Sequence, residues 1–199
     1  MIEYRRAKQS DIPMIAETHI QGFPDYFLTS LGKKLLCSFY KSYYDENNLF
    51  VVAHDNGKMI GFGMGHLYPS DARRNFEKEN FIQLSFRLLY LCLKLDKPTI
   101  ERVIARLFKR GNTKNQLSFS HQADANWLSS TVLPEYRGQG VATQLNEEFE
   151  SLLKQYNVRS YTGSVREDND NIRGLLKKQG FSIIEDAGGK IRYLKNLEY

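Results

Sequence analysis

Hydrophobic positions along the chain follow two rhythms, and each marks out its own elements. Short apolar, β-branched or aromatic runs predict strands at Ile2 to Arg6, Leu49 to Ala53 and Met59 to Gly65. The second and third of these are joined across Asp55-Asn56-Gly57, a hairpin signal. Later runs predict strands at Trp127 to Leu133 and Val158 to Val165, and a last pair at Phe181–Ile184 and Ile191–Leu194 around Gly188-Gly189. Between them apolar residues recur at helical spacing. Ser10 reads as the cap of a first helix, with Pro13 in its first turn and Ile12, Ile15, Ala16, His19 and Ile20 on one face. Gly22-Phe23-Pro24-Asp25 stops it. Thr29 or Ser30 caps a second helix carrying Leu31, Leu35, Leu36, Phe39, Tyr40 and Tyr43.

Tyr68-Pro69-Ser70-Asp71 interrupts this order, and helices are expected over about Ala72–Leu95 and Thr99–Lys109. Gln139 to Tyr156 and Asn169 to Gln179, stopped by Gly180, complete the helices. The succession β-α-α-β-β-(α-α)-β-α-β-α-β-β is mixed α/β. It predicts one domain over residues 1–199 with a helical insertion at about 66–120.

Charge sharpens the insertion. The net charge is +5 overall, yet residues 66–120 hold eleven basic and five acidic side chains, which leaves the remainder slightly acidic. Basicity confined to one segment fits a local acidic partner better than nucleic acid, for which no recognition helix, zinc or aromatic-platform motif is present. Cys37 and Cys92 belong to no CxxC pair and read as free thiols, and no metal site is expected. The start Met1-Ile2-Glu3-Tyr4-Arg5-Arg6 lacks the apolar core of a secretory signal. The apolar-rich run Phe81 to Leu95 is too short to span a bilayer. A cytoplasmic location is the expectation.

The most informative chemistry lies in Val132-Leu133-Pro134-Glu135-Tyr136-Arg137-Gly138-Gln139-Gly140-Val141-Ala142. An apolar strand ends at a proline, a short turn follows, and glycines open a helix. Gly138 and Gly140 let backbone N–H groups converge on a phosphate at the helix's positive end. A P-loop would need Gly-Lys-Ser/Thr where Gly140-Val141-Ala142 stands. A dinucleotide fingerprint would need glycine or alanine at Thr143, and its first glycine directly after the strand.

The segment instead resembles the acetyl-CoA-binding signature Gln/Arg-x-x-Gly-x-Gly/Ala of the GNAT N-acetyltransferase superfamily, with Arg137, Gly140 and Ala142 at its defining positions. Val165-Arg166-Glu167-Asp168-Asn169, followed by Gly180-Phe181, resembles the family's second segment. The resemblance implies the GNAT acyl-CoA N-acyltransferase fold, a mixed central sheet flanked by helices, with acetyl-CoA in a V-shaped gap between the fourth and fifth strands. Backbone at Thr131, Val132 and Leu133 would pair with the pantetheine arm. N–H groups of Gly138, Gln139, Gly140, Val141, Ala142 and Thr143 would hold the pyrophosphate, and Asn169 would stand near the pantetheine. Arg137 would either meet phosphate or serve as a solvated turn residue.

The implied reaction is direct attack of an amine on the thioester, with a fourth-strand backbone N–H near Val132 receiving the charge on the thioester oxygen. The family often supplies a base from a glutamate early in the fourth strand. Asn126 stands there, which leaves Asp124 and His121 as candidate bases. Leu176 replaces the family tyrosine suited to protonating the leaving thiolate, and Tyr136 and Tyr161 are the other tyrosines to consider. On the acceptor side, Phe23, Asp25 and Tyr26 of an unusually aromatic loop, together with His66, are the candidate substrate contacts.

A bacterial GNAT subgroup with a helical insertion, associated with surface-polysaccharide and amino-sugar pathways, is also similar. It implies a small amine acceptor such as a nucleotide- or lipid-linked amino sugar. A polyamine, amino acid or protein amine remains open, as does a noncatalytic CoA-binding module. The basic insertion is expected to cap the core, to form a homodimer contact, or to meet anionic lipid.

Overall fold

The computed structural model describes residues 1–94, 123–187 and 189–198. The expected helix at 99–109 and the candidate base His121 lie outside them.

Among the described residues, seven strands form one sheet: β1 (Ile2–Arg6), β2 (Phe50–Asp55), β3 (Lys58–Leu67), β4 (Ala125–Val132), β5 (Ser160–Arg166), β6 (Ser182–Ala187) and β7 (Lys190–Asn196). Their spatial order is β1-β2-β3-β4-β5-β7-β6. β1 to β4 run antiparallel to their neighbours, β4 and β5 are parallel, and β7 returns antiparallel between β5 and β6. The helices are α1 (Ile12–Gly22), α2 (Phe27–Ser30), α3 (Lys33–Asn47), α4 (Ala72–Glu79), α5 (Phe81–Lys94), α6 (Val141–Gln155) and α7 (Asp170–Lys178).

The sheet is covered on both faces, and β2 shows how. Phe50 and Val52 join Ile15, Leu36, Tyr40 and Phe62 under α1 and α3. Val51 and Ala53 join Ile60, Leu145, Phe149 and Tyr161 under α6. Alternation in a strand sends successive side chains to opposite cores, so a strand buried on both faces reads as a continuous apolar run.

Three helix boundaries differ from the sequence expectation. The start of α1 is fixed by Asp11, not Ser10. The Asp11 carboxylate accepts two hydrogen bonds from Arg5, at 2.6 and 3.0 Å, and one from the Lys8 N–H at 2.8 Å. Neither Thr29 nor Ser30 caps α3. Their hydroxyls turn back to the carbonyls of Phe23 and Phe27, and the N-cap is Gly32 at φ +88°. The helix expected over Ala72–Leu95 breaks at Asn80, which accepts the Leu84 N–H and donates from its amide to Phe76 O and Ser38 Oγ.

One close approach positions the site. A Cβ on Gly22 would stand 2.2 Å from Thr131 Oγ1, so the last turn of α1 lies directly on β4 only because residue 22 has no side chain.

Candidate active site

β4 and β5 pair for only three residues, Ala125–Trp127 against Tyr161–Gly163, although β4 runs on to Val132 and β5 to Arg166. Beyond Trp127 the strands diverge and leave a wedge. The divergence coincides with a bulge: Met64 pairs with Ser129 and Gly65 with Trp127, so Leu128 is an extra residue on β4. A bulge bends its strand and adds local twist, which turns the rest of β4 away from β5.

The orientation of the exposed edge follows from register. Leu133 donates its N–H to Ile60 O across β3. Alternation then directs the main chain of Thr131 toward β3, and that of Ser130 and Val132 into the wedge. Of the three residues expected to meet a pantetheine arm, Val132 offers its N–H there. The side chain of Thr131 is instead seated against Gly22.

At the open end of the wedge the chain turns through Pro134–Tyr136 and enters α6. Gly138 and Gly140 stand at φ +77° and +81°, the left-handed region that costs other residues strain. A Cβ at either would meet nothing within 4 Å. The glycines are thus required by conformation, and the space above them is open. No side chain caps α6, so the N–H groups of Val141, Ala142 and Thr143 face that space at the positive end of the helix dipole. Gln144 already donates to Gly140 O. These are the requirements of a pyrophosphate cradle, and they fit coenzyme A.

Arg137 donates from Nε to Val132 O at 3.0 Å, which staples the turn to the end of β4. Gln139 bonds back to Glu135 O, and Glu135 pairs with Lys58 of the β2–β3 hairpin. Side chains therefore hold the loop's shape and leave its amides for the ligand. Asn169 caps α7, accepting the Ile172 N–H at 3.3 Å.

The proton-transfer candidates are placed differently from expectation. The carboxylate of Asp124 accepts the N–H groups of Arg159 and Ser160, at 2.7 and 3.2 Å. It closes the tight end of the β4–β5 pair, about 13 Å along the strand from the bulge. That is a structural cap, not a base at the wedge. Tyr161 is buried under α6, bonded to Glu150 at 2.5 Å and Asn146 at 3.2 Å, and burial pushes its hydroxyl well up. Tyr136 packs beside Lys58 and Asp55. Leu176 is packed against the core under α6. None of the three supplies an acid at the wedge.

A chain of polar groups that sequence reading did not assemble crosses three strands on the α3 face. The Thr162 hydroxyl donates to Asn126 Oδ1 at 3.2 Å, and Asn126 Nδ2 lies 3.3 Å from His66 Nε2. His66 Nδ1 faces Leu67 O at 3.0 Å. A carbonyl only accepts, so Nδ1 carries the hydrogen and Nε2 presents its lone pair to Asn126. Burial beneath Tyr43 and Tyr68 lowers the imidazole's pKa, which keeps it neutral. The only signal in the sequence was the register of β3, β4 and β5, which places residues 66, 126 and 162 side by side.

Aromatic rings border the wedge from the α1 side. Phe23 lies 4.9 Å from His19 and 4.6 Å from Tyr26, centroid to centroid. Tyr26 is exposed and reaches the Arg166 guanidinium at the end of β5, where Asp168 also binds it. Asp25 is exposed on the same loop. Phe23, Asp25 and Tyr26 are thus brought to the mouth of the wedge, whereas His66 lies buried in the sheet. Among the described residues no group of His, Cys, Asp and Glu is arranged to hold a metal ion, and no helix is long and apolar enough to cross a membrane.

Residues 100–181 match the family model described as Acetyltransferase (GNAT) family. The fold is shared with solved acetyltransferases at low identity. PaiA N-acetyltransferase from Thermoplasma acidophilum, solved in complex with coenzyme A, is 14% identical with a TM-score of 0.54 over 99% of both chains. A polyamine N-acetyltransferase from Drosophila melanogaster that forms N-acetylagmatine is 13% identical, with a TM-score of 0.59 over 99% of this chain and 100% of its own. A mosquito arylalkylamine N-acetyltransferase-like protein is 15% identical, with a TM-score of 0.61 over 99% and 100%. No relative is found among curated protein sequences.

Proposed function

We propose, from the match of residues 100–181 to the GNAT acetyltransferase family model, that the chain moves an acetyl group from acetyl-CoA to a small primary amine. The domain in this reading spans residues 1–199, with the helical insertion at about 66–120. The observation that carries it is the divergence of β4 from β5 after Trp127 beside the glycine-opened helix α6. The open edge at Ser130 and Val132 and the amides of Val141 to Thr143 are what a pantetheine arm and a pyrophosphate need.

Acetyl-CoA brings the activated thioester, and the chain's own residues orient it. The amine nitrogen bonds to the carbonyl carbon, the carbon–sulfur bond breaks, and the thiolate leaves with the bonding pair. A thiol of pKa about 8.5 is a tolerable leaving group near neutrality, so the absence of a tyrosine at Leu176 does not stop the reaction. Among the described residues Asn126 holds no basic site and Asp124 is turned away, which leaves water, or His121 outside them, to take the proton from the amine.

The aromatic loop fits an acceptor with a flat or ring-shaped body, Phe23 and Tyr26 covering it and Asp25 meeting its ammonium. An amino sugar on a nucleotide or lipid carrier is the first acceptor class in this reading, ahead of a polyamine, an amino acid or a protein amine. A noncatalytic CoA-binding role draws on one specific observation, the replacement of carboxylate by Asn126 in a closed hydrogen-bond chain. Thiol release from acetyl-CoA across a panel of amines separates them. Turnover on amino sugars supports the first acceptor class, and turnover confined to another amine replaces it. Tight CoA binding without turnover on any amine overturns the enzyme.

A further inference from the structure

Helix α5 is apolar on two opposite faces. Leu84 packs against the core beneath α3, and Leu91 is buried. On the other side Ile82, Phe86, Leu89 and Leu93 fall on one stripe at helical spacing, and they are 70%, 70%, 58% and 79% exposed. Single exposed apolar residues are ordinary, but a contiguous row of four large ones over the length of a helix marks a contact surface.

The charges around the stripe are of one sign. Between Glu79 and Asp96 the sequence has no carboxylate, while Arg87 and Lys94 supply cations. At the N-terminal end of the stripe, Arg74, Glu77, Lys78 and Phe81 line a shallow cleft of about 360 Å³. Its one acid, Glu77, is paired with Arg73 at 3.1 Å, which leaves the cleft cationic beside an apolar ring. Apolar side chains on the outer face beside a cationic cleft is the arrangement of a helix that lies in a lipid interface. A protein partner or a second copy would meet the apolar stripe equally well, but neither accounts for the one-sided charge.

We propose that the outer face of α5 lies flat on an anionic lipid surface, with Ile82, Phe86, Leu89 and Leu93 in the acyl boundary and Arg74 and Lys78 on headgroup phosphates. The surface is tied to the wedge. Arg87 donates from Nε to Ser30 O at 2.9 Å, and Ser30 closes α2, which begins just after Tyr26 at the acceptor mouth. A chain seated this way takes acceptors presented at the lipid surface.

Sedimentation with vesicles of about three parts phosphatidylcholine to one of phosphatidylserine tests the surface. Neither acetyl-CoA nor an amine is added, so the outcome is independent of the proposed reaction. Binding is expected to anionic vesicles, weak or absent on pure phosphatidylcholine, and to fall as salt rises from about 0.1 to 1 M. Phe86→Ser and Leu93→Ser each lower partitioning on the order of tenfold. Arg74→Glu and Lys78→Glu, which leave the apolar stripe intact, each lower it about fivefold or more. Circular dichroism matching the unaltered chain confirms that these exposed positions leave the fold intact. No binding to anionic vesicles overturns the proposal, as does equal binding to neutral ones. So does a concentration-dependent dimer that Phe86→Ser converts to monomer in a chain that ignores vesicles.

Discussion

Nδ1 of His19 stands 2.5 Å from the hydroxyl of Tyr40, in a part of the core where neither side chain reaches solvent. Tyr40 in turn bonds the side chain of Ser129, one residue past the β4 bulge, so α1, α3 and the edge of the wedge share one buried polar line. Burial lowers His19 to about 4 from 6.5. Between these values the unfolded chain binds a proton that the fold does not, so stability rises with pH across that window and is lost as pH falls through it. The contribution is about 3 kcal/mol. His54 and His66 are lowered too, both chiefly by burial, and act in the same direction. Urea midpoints measured from pH 7 to pH 4 should fall steeply, and His19→Gln should flatten the slope without abolishing it.

The cradle's glycines are held by conformation and not by crowding, which separates two effects of replacing them. Gly140→Ala places a methyl in open space but forces alanine to φ +81°, at about 1–2 kcal/mol. The loop relieves that strain by turning its amides. CoA affinity measured by calorimetry should weaken on the order of tenfold, with a thermal midpoint within a few degrees of the unaltered chain.

Gly22 is the reverse case. Its φ is unremarkable, but a Cβ would meet Thr131 Oγ1 at 2.2 Å and Cγ2 at 2.8 Å. Gly22→Ala should therefore cost about 2–3 kcal/mol in chemical denaturation through overpacking. Thr131→Ala in the same chain should return part of it, leaving a contact of 3.0 Å to Cβ.

What could be read from the sequence and what could not divides along locality. The hairpin at Asp55-Asn56-Gly57 and the left-handed turns at Gly138 and Gly140 depend on residues within a few positions of one another. Asn80 and Asp124 do not. Asn80 ends one helix and starts the next because Ser38, on α3, meets its amide. Asp124 is a cap because Arg159 and Ser160 bring their N–H groups to it from the start of β5. The bulge at Leu128 belongs to the pairing of two strands and has no residue signature of its own. The cofactor side was legible because backbone makes it, and glycine spacing betrays backbone. The proton-transfer side was not, because it depends on which side chains the register brings together.

Asp124 offers a direct check of that division. Asp124→Ala leaves two N–H groups of β5 without their acceptor and should cost about 1–3 kcal/mol in denaturant melts. The pH dependence of kcat/KM on whichever amine is turned over should keep its shape. Loss of the acidic limb of that profile would return Asp124 to the role of base.

The three-strand chain from Thr162 to His66 makes the last prediction. Amide orientation at Asn126 is set from one end only, by the Thr162 hydroxyl donating to Oδ1. That leaves Nδ2 as the group facing His66 Nε2, and with Leu67 O accepting from Nδ1 it selects the Nδ1–H tautomer. Thr162→Val removes the donor and leaves the half-buried Asn126 Oδ1 without it, at about 1 kcal/mol. It also removes the reason for Asn126 to keep its orientation. A rotated amide would present Oδ1 to His66 and favour Nε2–H, at the expense of the bond to Leu67. Nitrogen-15 NMR of the imidazole should show the Nδ1–H form alone in the unaltered chain and a mixture in Thr162→Val. An unchanged single tautomer in the variant would mean that the Leu67 carbonyl alone fixes the ring, and that Asn126 follows His66 instead of holding it.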